Sequence, residues 1–268
     1  MKNRRRTIYA IIALLFASIL YIYDNYDVEE KNISFSSNFN YLPTSTTGQI
    51  IHHNYYSLSY NEKFEQAEWV AYELTLEHLS NQNFKRPYFE KDSKVKTQSA
   101  NYKNYKNSGY NKGHLCPAGD RKFSKEAFNE TFLTSNITPQ LYKFNAGIWN
   151  RLEQKVRYWA QKYDKLYVIT GGVLSKNLKT IGSEKVAVPT QFYKIILDYH
   201  QPKIKAIAFL IPHKASEKGL YNFVVSIDEI ENLTGIDFFP ELPDEIESKL
   251  EKSSNYTNWN FKNLGNKF

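Results

Sequence analysis

The chain has one cysteine, one methionine, eleven glycines and nine prolines in 268 residues. A single thiol, Cys116, excludes an internal disulfide framework and any zinc cluster built on several cysteines. The fold must therefore rest on core packing. Few Gly and Pro beside 21 Tyr and 17 Phe exclude a disordered chain and suit a β-containing globular core. The sequence shows neither internal repeats nor low-complexity tracts. Its length fits one substantial domain with small additions.

The formal charge of +7 is unevenly spread. Residues 1–23 hold Lys2, Arg4, Arg5 and Arg6 and no acid, a contribution of +4. Residues 83–125 hold eleven Lys or Arg against Glu90, Asp92 and Asp120, a net +8. The remainder is mildly acidic, at −5. One basic segment in an acidic body focuses an anionic ligand better than spread charge does. Patch charge alone also fits a solvated surface.

Residues 1–6 form a basic region and residues 7–23 an uncharged, mostly apolar run. This reads as an export signal or an uncleaved anchor, just at the length needed to span a bilayer. The basic flank stays inside, which would make the protein exported, periplasmic or extracellular, with membrane contact through the anchor. Residues 24–47 read as a linker and 48–268 as the domain.

Within that domain, residues 55–60 and 69–76 read as strands around a polar turn. Residues 85–109 are basic, Asn-rich and Tyr-rich, and read as loop. Residues 113–117 form a short strand, and 122–129 a helix capped by Ser124. Residues 131–137 alternate as a strand, ended by Pro139. Ile148, Leu152, Val156 and Trp159 recur at helical spacing, which predicts an amphipathic helix over 146–163. Residues 166–170, 191–197 and 204–211 read as strands, with 223–226 a short one. Ser226 to Glu229 is a capping box opening a helix that Gly235 ends. A last helix covers 244–252. Strands outnumber helices without regular alternation, so the class is α+β with a mixed, mainly antiparallel sheet.

Two stretches carry chemistry: Tyr110-Asn111-Lys112-Gly113-His114-Leu115-Cys116 and Phe144-Asn145-Ala146-Gly147-Ile148-Trp149-Asn150-Arg151-Leu152-Glu153. Histidine takes a proton near neutral pH, as a base for phosphodiester hydrolysis must. A lone His is also commonly structural. The amide oxygen of Asn145 suits Mg²⁺, which keeps several of its waters; its place at a helix start equally suits an N-cap. Glu153 lies eight residues on, roughly 12 Å along a continuous helix. That is far for a shared ligand, so it reads as touching metal-bound water, or as a surface acid paired with Arg157. Asn136 fits an orienter of the imidazole or of a loop carbonyl, and also a turn former. Lys112, Arg86, Lys103 and Lys106 are candidates for phosphate. Cys116 reads as a buried filler.

Asn111-Lys112-Gly113-His114 resembles the Asp-Arg-Gly-His signature of the DNA/RNA non-specific endonucleases. The run from Thr131 to Gln140 (TFLTSNITPQ) is similar to another block of that family. Asn145, Trp149, Asn150, Leu152 and Glu153 fall at its spacing, and later blocks around Val168, Val188 and Leu233 extend the likeness to Pro240. The resemblance implies a ββα-metal motif and cleavage of DNA and RNA. It implies one Mg²⁺, with Mn²⁺ able to substitute, held through Asn145. It further implies His114 as general base, Glu153 on the metal's water shell, Asn136 near the site and Arg86 close to a phosphate-binding position. Two departures stand out: the family Asp is Asn111 here and its Arg is Lys112, which keeps the charge but loses the bidentate fork. The competing reading is a non-catalytic protein that binds nucleic acid through the same patch. A phosphatase for small substrates fits poorly, since no Asp/His cluster for two metals is apparent. The sequence assigns neither an inhibitor partner nor an oligomeric state.

Overall fold

The structure is a computed structural model that describes Ser18 and residues 39–80, 82–200 and 203–261. Contacts divide the chain into residues 1–39 and 40–268; the second unit is the one treated below. Apart from Ser18, the expected anchor at 1–23, and the expected linker as far as residue 38, lie outside the described residues.

Seven strands form one antiparallel sheet in the order β1-β2-β3-β6-β9-β10-β11. They are β1 (Ile50–His52), β2 (Ser57–Asn61), β3 (Gln66–Thr75), β6 (Lys165–Gly172), β9 (Gln191–Asp198), β10 (Lys205–Pro212) and β11 (Val224–Val225). The centre, β3-β6-β9, is buried along nearly its whole length. That accounts for near-continuous apolar runs such as LYVITGG, where an exposed face would force alternation. Two short ribbons stand apart: β4 (Asn111–His114) with β5 (Ile137–Gln140), and β7 (Thr180–Ile181) with β8 (Val186–Ala187).

The helices are α1 (Lys125–Glu130), α2 (Asn150–Tyr163), α3 (Ile227–Thr234) and α4 (Asp244–Glu251). Ser124 caps α1 by accepting from Ala127 N, and Ser226 caps α3 by accepting from Glu229 N. Gly235 ends α3 at φ +70°, the left-handed conformation glycine adopts freely. Leu152, Val156, Trp159 and Ala160 of α2 join Tyr72, Leu74, Val168 and Ile196 of the sheet in the main core. Each large apolar side chain there contributes roughly 1.5–3 kcal/mol. This packing makes α2 a fixed platform.

Two expectations fail locally. Residues 131–137 are not a strand. They pass through a 3₁₀ turn, Thr134–Asn136, before β5 begins at Ile137. Their hydroxyls are bound elsewhere: Ser135 donates to Asp92 Oδ2 at 2.6 Å, and Thr134 shares a bond with Ser99 at 2.7 Å. Small polar side chains that bind across to a loop hold the backbone in a turn. Pro139 does not end the strand either; it sits inside β5 opposite Lys112. A two-stranded ribbon has only edges, where a missing N–H is harmless.

Residues 40–47, expected as linker, are bonded to the domain. Trp69 Nε1 donates to Thr44 O at 2.8 Å, and Thr46 Oγ1 donates to Glu68 Oε2 at 2.7 Å.

Candidate active site

His114 is the last residue of β4 and faces Ile137 in register. The backbone after it is clamped by Asn136. Asn136 Oδ1 accepts from Cys116 N at 2.8 Å, and Asn136 Nδ2 donates to Cys116 O at 3.0 Å and Thr131 O at 2.9 Å. Leu115 N donates to Asn136 O at 3.0 Å. Both amide protons of Asn136 are thus committed to carbonyls. Of the two orienting roles read from sequence, the side chain fills that of holding loop carbonyls. Cys116 is fully buried, as expected of a filler.

The imidazole of His114 lies between aromatic rings. Phe132 meets it edge-on at 5.1 Å between centroids, and Phe89 lies at 5.8 Å. Its Nε2 is enclosed and has no hydrogen-bond partner. Burial, then the nearby Arg86 charge, hold the His114 pKa down at about 3. The ring is therefore neutral at physiological pH.

Arg86 stacks over Phe132 at 5.4 Å, and Lys112 lies 5.3 Å from the Phe89 ring. Both line a cleft of about 340 Å³ with Pro87, Tyr88, Tyr102 and the two phenylalanines. Tyr88 is 89% exposed. Two cations beside the exposed rings of Tyr88 and Tyr102 suit a phosphate chain with unstacked bases. The sequence reading found the cations and missed Tyr88, Phe89 and Phe132. Interleaving of Lys and Arg with aromatics over residues 84–89 was the available signal.

Asn145 lies in a π-helical turn, Phe144–Trp149, that precedes α2. Gly147 has φ −98° and ψ −110°, so the helix is broken there. The two positions thus do not share one straight axis, and the spacing of a continuous helix does not apply to Asn145 and Glu153. Asn145 does not cap the helix; Lys143 holds the N-cap position, without a side-chain bond. Both Asn145 and Glu153 are half-buried.

Glu153 belongs to a charged cluster. Burial pushes its pKa up to about 7, while Arg157 and Lys194 pull the other way. Arg157 does not pair with Glu153 as the i+4 spacing suggested. It forms a 2.6 Å ion pair with the buried Asp120, which also accepts from Tyr72 OH at 2.9 Å. Lys194 on β9 is fully buried, lies 4.9 Å from the Trp149 ring, and its Nζ has no hydrogen-bond partner. Burial lowers its pKa, opposed by Glu153 and Asp120. Sequence reasoning missed Lys194, although one lysine inside the apolar run FYKIIL was a visible anomaly.

Several buried polar atoms on the elements that carry these residues have no partner among the described residues. They include His114 Nε2, Thr138 Oγ1, both amide ends of Gln140, Trp149 Nε1 and Lys194 Nζ. Such atoms mark where water or ions complete a structure. Among the described residues, the groups of three His, Cys or acidic side chains close enough to share a metal lie elsewhere, at Asp228, Glu231, Asp237, Glu247 and Glu251.

A β-ribbon ending at His114, followed by a turn bearing Asn145 and a helix bearing Glu153, matches a ββα-metal nuclease fold. The DNA/RNA non-specific endonuclease family matches residues 36–245, and the chain belongs to that family. It is 36% identical over 210 residues to the mitochondrial nuclease EXOG of Danio rerio, covering 72% of this chain and 61% of that one. It is 31% identical over 202 residues to mitochondrial endonuclease G of Homo sapiens, covering 70% and 68%. A crystal structure of the EndoG/EndoGI complex superposes with a TM-score of 0.67 at 29% identity, covering 73% of this chain and 87% of that one. The chain spans about three fifths of the length of the EXOG relatives it matches.

These relatives correct the expectation of an exported, periplasmic or extracellular protein, because they are named as mitochondrial nucleases. That expectation rested wholly on residues 1–23. A basic segment followed by an apolar one is an address read by targeting machinery, and its composition does not by itself fix the compartment. No helix among the described residues is long and apolar enough to cross a membrane.

Proposed function

We propose that the chain is a metal-dependent endonuclease that hydrolyses phosphodiester bonds of DNA and RNA without sequence preference. The observation that carries this reading is the neutral His114, set between aromatic rings beside the Arg86 and Lys112 cleft. A base must be unprotonated to act, and burial supplies that state. Nε2 is enclosed, which leaves Nδ1 as the ring nitrogen to take a proton from an incoming water. Arg86 and Lys112 hold the phosphates on either side of the scissile bond. Contacts to phosphate carry no base information, so sequence preference is weak.

The donor set fits a hard divalent cation such as Mg²⁺ or Mn²⁺. The Asn145 amide oxygen is a neutral hard ligand, and neither it nor the Glu153 carboxylate has a hydrogen-bond partner among the described residues. Asn145 would bind the ion and Glu153 would hold its waters. When bound, the cation neutralises charge that develops on the phosphate. Asn136 keeps the strand end beneath His114 in place.

The deciding experiment is digestion of plasmid DNA and of RNA by the full chain in Mg²⁺ or Mn²⁺, then with EDTA, then with His114→Ala. The expected result is cleavage of both substrates that EDTA abolishes. A loss of roughly 10²–10⁴-fold is expected for His114→Ala, the contribution of a general base. Intact substrate with the wild-type protein in either metal overturns the reading.

A further inference from the structure

A second, larger basic cleft adjoins the one beside His114. Its volume is about 580 Å³, and its charged lining is Lys91, Lys103, Lys106, Lys179 and Glu184. The two clefts share the 3₁₀ turn Tyr102–Tyr105: Tyr102 lines the first and Lys103 the second. Lys112, a cation of the first cleft, lies 5.9 Å from the ring of Tyr105 in that same turn.

The acid in this lining is already committed. Glu184 pairs with Lys91 at 2.9 Å, accepts from Asn101 N at 2.7 Å, and accepts from Asn104 Nδ2. Lys103, Lys106 and Lys179 are exposed and form no ion pair among the described residues. Three uncompensated ammonium groups therefore face the cleft from two walls.

The walls are fixed to each other. Gly182, at φ +68°, packs so closely on Asn104 that a β-carbon would overlap its side chain. Glu184 N donates to Asn104 Oδ1 at 3.1 Å. Beneath, Ala100 and Tyr105 from one wall and Ile181, Val186 and Val188 from the other pack with Ile137. Ile137 is the residue opposite His114 in the ribbon. The cleft and the histidine thus sit on one rigid unit.

We infer that this second cleft binds the phosphate backbone of the nucleic acid beyond the scissile bond, lengthening the grip exerted at His114. The inference rests on the nuclease reading above. Separated lysines acting as point charges track a backbone, whereas a small free anion needs donors converging on one point. The cleft lacks a guanidinium fork and so adds affinity without reading bases.

The test uses the full chain in EDTA, so that binding is read without cleavage. Affinity for a long DNA duplex is measured against salt for wild type and for a Lys103→Gln/Lys106→Gln/Lys179→Gln variant. Each phosphate that the protein no longer neutralises lowers the slope of log affinity against log salt by roughly 0.7–0.9. The slope on a duplex should fall by about 2.7 in the triple variant, about 0.9 for each lysine. In Mg²⁺, the ratio of kcat/KM for plasmid to that for a dinucleotide should fall about tenfold, through KM. A Lys162→Gln/Lys249→Gln/Lys252→Gln variant, from α2 and the end of α4, changes net charge equally and should leave the slope as in wild type. A slope unchanged in the cleft variant, or reduced as much in the second variant, overturns the inference while leaving the nuclease standing. A wild-type protein that binds and cuts no nucleic acid overturns the nuclease reading itself.

Discussion

Asn136 grips the backbone of Cys116 from both sides, accepting from its N–H at 2.8 Å and donating to its carbonyl at 3.0 Å. The grip falls two residues beyond His114 and is fully buried. It fixes the exit of the strand that carries His114. Truncation to Ala orphans Cys116 N, Cys116 O and Thr131 O. Each buried orphan costs about 1–3 kcal/mol, so Asn136→Ala should lose several kcal/mol, read as a lower urea midpoint. Asn136→Asp keeps the acceptor and loses both donors, and should not rescue. An unchanged midpoint in Asn136→Ala would exclude this role.

Gly113 precedes His114 because the Gln140 side chain crosses directly above it. A β-carbon at Gly113 would fall inside van der Waals range of the Gln140 amide. Gln140 is fully buried. Gly113→Ala should therefore destabilise by about 1–3 kcal/mol, as overpacking does. Adding Gln140→Ala removes the obstruction, so the double variant should recover most of that loss. Equal and additive losses from the two substitutions, measured by thermal unfolding, would refute the coupling.

His114 makes the fold sensitive to acid. Its folded pKa lies near 3, while an unfolded histidine titrates near the ordinary 6.5. Between these values the unfolded chain binds the additional proton, so stability falls as pH drops through 6.5 and the loss grows towards 3. Above 6.5 this residue contributes no pH dependence. A His114→Gln variant should show a flatter fall in urea midpoint over that window than wild type. Parallel curves for the two proteins would contradict it.

Much of this arrangement is written locally in the chain. Ser124 and Ser226 announce their helices because a cap is a bond within three residues. The runs of β6, β9 and β10 are legible because both faces of the central sheet are covered. Residues 131–137 misled because alternation there comes from Thr134 and Ser135 binding Ser99 and Asp92, partners that no local pattern contains. His114, Asn145 and Glu153 were singled out through matched blocks of sequence. The break at Gly147 and the Asp120–Arg157 pair were not, since each depends on packing between distant segments.

Lys194 should link stability to the proposed catalysis. Its amine is fully buried without a hydrogen bond, and its charge opposes the burial that raises the Glu153 pKa to about 7. Burying an unpaired charge is costly. Lys194→Met fills similar volume without that cost, so its thermal midpoint in EDTA should rise. The same change removes a positive charge near Glu153, whose carboxyl then titrates above 7. His114 titrates far lower, so in the proposed nuclease the acid limb of kcat/KM should follow Glu153 and not the imidazole. Added Mg²⁺ should move that limb to lower pH in wild type, since a cation favours the carboxylate. In Lys194→Met at the same Mg²⁺ the limb should lie at higher pH, with activity at neutral pH reduced and regained in alkali. A limb that stays in place in Lys194→Met would show that Glu153 does not depend on this lysine for its charge.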